Sequence, residues 1–122
     1  MAKYRHRTFD WRRKATCLHM ARFHLRKMGR KPPPLPQIGS LLAARRALKT
    51  REWANAGDML DAIGLERIAP AQMLLGDLAM LESEDGMGAI VVSAGSKVLG
   101  WHDAAEDMVV MDAHVVTAAW RV

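Results

Sequence analysis

An α+β domain, with N-terminal helices packed on a C-terminal antiparallel sheet, is what the order of patterns along this chain predicts. Up to residue 64 the apolar residues recur at helical spacings between capping signals. From residue 70 onward they gather into short apolar or β-branched runs separated by turns. A length of 122 residues, half of them apolar, suits one buried core rather than two. Helices first and strands second place the sheet against a helical layer.

Residues 1–15 predict a basic arm, because Tyr4, Phe9 and Trp11 punctuate it without a period of two or 3.6. Residues 16–122 are then the single domain, its helical half at about 16–66 and its sheet half at about 70–122. In the first helix Cys17, Met20, Ala21, Leu25 and Met28 recur at spacings of three and four, which makes one buried face. Thr16 is a suitable N-cap and Gly29 a suitable C′ residue, and the basic residues Arg26, Lys27, Arg30 and Lys31 complement the helix dipole. Pro32, Pro33, Pro34 and Pro36 then forbid helix and predict an extended spacer.

Ser40 caps a second helix running from Leu41 to about Trp53, and Gly57 or Asp58 opens a short third one that stops at Gly64. Strands are predicted over residues 78–81, 89–92, 97–101, 108–111 and 115–121, joined as an antiparallel meander. Polar turns at residues 82–86 and 93–96 separate the first three. No internal repeat is present.

Charge is divided along the chain. Residues 1–51 hold fifteen Lys/Arg against the single acid Asp10, a net of +14, whereas residues 52–122 hold three basic residues against twelve acids, a net of −9. Such a division suits a nucleic-acid face, head-to-tail docking on neighbours of opposite sign, or a solvated basic tail. Arg5, Arg7, Arg12 and Arg13 interleaved with Trp11 could hold phosphates and stack on bases. No recognition-helix, zinc-finger or RNP pattern accompanies them, which makes nucleic acid the weaker expectation. No stretch is long and apolar enough to span a bilayer, and the N-terminus is too charged for a signal peptide, so no membrane partner and a cytoplasmic origin are expected. The lone Cys17 leaves stability to packing and partners rather than disulfides.

Chemistry could reside at Cys17, which follows the probable cap, where free N–H groups and the positive end of the dipole favour a thiolate. A small core residue is the plainer account of the same position. The chain has neither C-x-x-C nor H-E-x-x-H, its acids 82, 84 and 85 lack calcium-loop spacing, and Gly86-Met87-Gly88 lacks the rest of a phosphate loop. No metal and no cofactor are expected. Trp53 and Trp120 suit either interface anchors or core packing.

Gly76-Asp77-Leu78-Ala79-Met80-Leu81, a polar turn, and then Gly88-Ala89-Ile90-Val91-Val92-Ser93-Ala94-Gly95 resemble the second half of an NlpC-type, papain-like cell-wall peptidase. The helix opened by Cys17 resembles its first half. The resemblance is closer to a small group of phage and prophage proteins that have a Phe/Trp-containing lead into the cysteine helix and end in Ala-Trp-Arg-Val. Here these are Phe9-Asp10-Trp11 and Ala119-Trp120-Arg121-Val122.

The resemblance implies a papain-like fold with Cys17 as nucleophile and a histidine on the second core strand as base. That position holds Met87, which cannot accept a proton, and Thr16 and Leu18-His19 replace the family's usual neighbours of the cysteine. His19 and His24 lie on the helix of Cys17 at offsets that do not face it. His102, at the end of the strand that would carry the orienting residue, is the one histidine placed to substitute.

The siphophage gene context of these relatives further implies a structural protein of a tail tip or baseplate, assembled in the host cytoplasm into the virion and oligomeric through that assembly. Its partners would be the distal tail or hub proteins, met through Arg5, Arg7, Arg12, Arg13 and Trp11 and through Arg45 and Arg46 on the second helix. Two alternatives stand beside it: an active thiol peptidoglycan hydrolase using Cys17 and His102, and a small basic nucleic-acid-binding protein.

Overall fold

Thr16 caps the first helix: its backbone is extended and its hydroxyl accepts the His19 N–H at 3.2 Å, which starts helix α1, Cys17–Lys27. In the computed structural model the described residues are 16–32, 40–83, 86–101, 108–112 and 115–122. α1 buries Leu18, Met20, Ala21, His24 and Leu25 along one face. It ends as its sequence predicts, with Gly29 at φ +85° and the N–H groups of Gly29 and Arg30 returning to the carbonyls of Arg26 and Leu25.

Ser40 caps α2, Leu41–Thr50, by accepting the Ala43 N–H at 3.1 Å. α2 stops short of Trp53 because Glu52 turns into the left-handed region at φ +60° and the Trp53 N–H returns to Leu48 O. The third helix, α3 (Ala56–Ala62), is capped by Asn55 rather than by Gly57 or Asp58. The Asn55 side chain accepts the Asp58 N–H at 3.2 Å, while the Asp58 carboxylate accepts the Ala54 N–H at 2.7 Å. Asp58 is therefore the acid of the first turn, where the dipole favours it.

Six antiparallel strands follow: β1 Glu66–Ile68, β2 Leu78–Leu81, β3 Ala89–Ser93, β4 Lys97–Gly100, β5 Val109–Asp112 and β6 Ala118–Arg121, in the order β1-β6-β2-β3-β4-β5. The fold class is α+β, with three helices preceding the sheet. The meander expected from sequence holds for β2 to β5. β6 departs from it, crossing back to lie between β2 and β1, with Leu78 opposite Trp120 and Glu66 opposite Arg121.

The central strands β2, β3 and β6 are buried on both faces, which is why β3 reads as an unbroken apolar run instead of an alternation. Leu78, Ile90, Val92 and Trp120 pack with α1, α2 and α3 in one cluster. Ala79, Leu81, Val91, Val98 and Ala119 form the other, closed by Val116, Met73 and Met111. Strand pairing is close enough here that a side chain at Gly100 would sit 2.5 Å from Val91 Cγ1.

Candidate functional site

Cys17 stands at the front of α1, directly after the buried cap Thr16, and is half-buried. α1 lies against β3, and Cys17 packs on the apolar cluster that also contains Ile90 and Met87, the latter 9% exposed. Met87 is set there by its own backbone. Its carbonyl accepts the Ala56 N–H at 2.7 Å, tying the β2–β3 connection to the first residue of α3. The two positions that the resemblance pairs, 17 and 87, thus belong to one cluster, and the second is occupied by a thioether.

Both histidines on α1 make hydrogen bonds through their rings. His19 Nδ1 lies 2.7 Å from the hydroxyl of Thr16, on the cap. His24 is buried, and its Nε2–H donates to the carbonyl of Gly76 at 2.6 Å, fastening α1 to the start of β2. His102 lies outside the described residues, as do Arg5, Arg7, Trp11, Arg12 and Arg13.

Arg45 and Arg46 are exposed on α2. Trp53 is half-buried, with the Arg51 guanidinium 5.6 Å from its ring centroid. Trp120 corrects the anchor alternative: it is fully buried and its indole N–H donates to Asp61 Oδ1 at 2.8 Å. Among the described residues no group of three or more His, Cys, Asp or Glu side chains comes together to hold a metal ion.

Two acids, the buried Asp77 and the half-exposed Asp61, organise polar networks that the sequence does not announce. Asp77, 3% exposed, accepts the Leu74 N–H at 2.9 Å, the Val122 N–H at 3.0 Å and Arg121 Nη1 at 3.1 Å. Its carbonyl takes the Ser93 N–H at 2.8 Å, and Arg121 Nη2 continues to Gln72 O at 3.1 Å. The Gly-Asp pair and the terminal Arg-Val pair, widely separated in sequence, are two halves of one latch.

Asp61 is the second acid, holding Trp120 and receiving Arg67 Nη2 at 2.6 Å, while the Arg67 guanidinium also lies 5.0 Å from the Trp120 ring centroid. The hydrogen bond from Arg67, helped by that from Trp120 and opposed by partial burial, holds the Asp61 carboxyl below the usual carboxylate range. The same bond pushes the Arg67 guanidinium up.

A carboxyl lowered in the folded state adds stability above its unfolded pKa and loses it as pH falls through the folded value. Both partners are about half exposed, so the ion pair contributes less than about 1 kcal/mol. The gap in melting temperature between wild type and Asp61→Asn should therefore narrow on going from about pH 7 to about pH 3. A gap that stays constant over this range would show that the carboxylate charge contributes nothing.

A family model, Domain of unknown function (DUF6950), matches residues 1–122. No curated protein and no solved structure matches the chain.

Proposed function

The chain belongs to the DUF6950 family, a domain of unknown function, and from that premise we propose that it is a structural component of a phage tail tip or baseplate, built on a peptidase-like fold that no longer catalyses. One observation carries the catalytic half of this reading. Cys17 opens the helix that packs on β3, and the apolar cluster it packs on contains Met87, the residue that the resemblance aligns with the family's base. An active thiol hydrolase draws about 10²–10⁴-fold in rate from its general base, a task that a thioether at position 87 cannot perform. A capped helix start and an apolar cluster are what remain when such a site is kept for packing.

The assembly half rests on the resemblance to phage and prophage proteins encoded among siphophage tail genes and on the division of charge. Arg45 and Arg46, exposed on α2, present part of the basic half to acidic neighbours of the distal tail or hub. In this reading the protein assembles in the host cytoplasm and resides in the virion.

Purified protein mixed with peptidoglycan should release no peptides. Iodoacetamide labelling of Cys17 should climb steadily with pH, with no inflection in the histidine range. Peptide release that disappears in Cys17→Ala would overturn the loss of catalysis. The tail placement is tested separately by sequencing the flanking genes, where a run of tail-assembly genes is expected and flanks without any virion gene would remove it.

A further inference from the structure

One end of the domain holds exposed apolar side chains next to a helix end rich in cations. The connection leading into β2 turns sharply at Leu74 and Leu75: the Asp77 carboxylate takes the Leu74 N–H at 2.9 Å and Leu74 O takes the Asp77 N–H at 3.1 Å. This double tie leaves Leu74 and Leu75 projecting, 63% and 77% exposed. Met28, 48% exposed, lies beside them, its Cε 3.3 Å from where a Cβ on Gly76 would stand. A tight turn is served as well by polar residues, so the turn itself gives no reason for two adjacent exposed leucines.

The cations come from the last turn of α1 and its exit, where Arg26, Lys27, Arg30 and Lys31 are all exposed. His24 fixes this helix end to the leucine turn through the Gly76 carbonyl. The Gly76 N–H also donates to Ser93 O at 2.9 Å, which brings the β3–β4 turn and Lys97 to the same end. Among the described residues of these segments and their ion-pair partners the acids are Asp77, bound to Arg121, and Asp112, bound to Lys97. The four cations of α1 and its exit therefore outnumber the acids of the segments that meet at this end.

We propose that this end of the domain is a docking site for an anionic phospholipid surface. Leu74, Leu75 and Met28 enter the boundary between headgroups and acyl chains, and Arg26, Lys27, Arg30 and Lys31 meet lipid phosphates. A projecting apolar pair needs a matching pocket in a protein partner but none in a bilayer, and several exposed cations close together in sequence suit a continuous anionic plane. No helix of the described residues is long and apolar enough to cross a membrane, which bears on spanning and not on surface docking. The inference stands apart from the tail-tip reading and survives its failure.

Co-sedimentation of the full chain with vesicles tests it, using phosphatidylcholine alone or with about 30 mol % phosphatidylglycerol. The protein should pellet with the anionic vesicles only, and less so as salt rises. Leu74→Ser/Leu75→Ser, both at exposed positions, should melt as wild type does and partition at least about tenfold more weakly. Arg30→Gln/Lys31→Gln should weaken partitioning about thirtyfold. Absence of the protein from the anionic pellet overturns the proposal, as does pelleting that the leucine variant leaves unchanged, which would assign binding to the basic segments alone. Retention on a poly-glutamate matrix without vesicle binding overturns it too, in favour of an acidic protein partner.

Discussion

Asp77→Ala should lose about 3 kcal/mol of folding stability, read as a lowered midpoint of urea unfolding, because it withdraws the acceptor from three donors at once. The carboxylate is 3% exposed and holds the N–H groups of Leu74 and Val122 together with the Arg121 guanidinium. Removing it leaves two N–H groups without their carboxylate acceptor and a half-buried cation without its counter-charge. The cation is about one third exposed, so water recovers part of its loss and the effect falls at the lower end of the range for broken buried pairs. Arg121→Ala should cost less, since Asp77 keeps both N–H donors, and the double variant should cost less than the two single losses added. A variant Asp77→Ala within about 1 kcal/mol of wild type would show that the latch does not hold β6 in place.

How much of this was legible in the sequence follows from how local each cause is. α1 was read correctly because its cap, its apolar spacing and its terminal glycine all lie within the same fourteen residues, Thr16 to Gly29. β2, β3 and β4 were legible for the same reason, as short runs between turns. The end of α2 was not, because Glu52 takes a left-handed conformation that usually signals itself with glycine or asparagine. β1 is only three residues long and owes its strand conformation to β6, more than fifty residues away, so no local pattern could have announced it. The return of β6 to the β2 edge is likewise a long-range choice, made by Trp120 and Arg121 finding Asp61 and Asp77.

The candidate site divides in the same way. The placement of Cys17 behind a threonine cap is legible, because it needs only a helix boundary. Gly76-Asp77 was read as a lead into a strand, which it is, yet the role of its carboxylate depends on a partner 44 residues away. The offset of His24 from Cys17 shows only that it does not face the thiol. Its actual work, donating to Gly76 O across 52 residues, becomes visible only once α1 lies beside β2. Buried polar groups are where sequence patterns are least informative, since the pattern records that a residue is polar and not where its partner will be.

Trp120→Ala should cost about 3–5 kcal/mol, because a fully buried indole would be replaced by a cavity that its neighbours cannot fill. Gly57 on α3 approaches within 2.9–3.0 Å, measured from its ideal Cβ position to the ring carbons, so backbone rather than a movable side chain lines that wall. Trp120→Phe should cost less, about 1–2 kcal/mol, keeping most of the apolar contact while depriving Asp61 of the indole N–H. The two losses separate ring volume from the hydrogen bond. Hydrogen exchange on Trp120→Ala should locate the damage: amides of α3 and β1, which meet through Trp120, Asp61 and Arg67, should lose protection before those of β3 and β4. Wild-type stability in Trp120→Ala would contradict a packing role and return this residue to the surface of the problem, as an anchor for a partner.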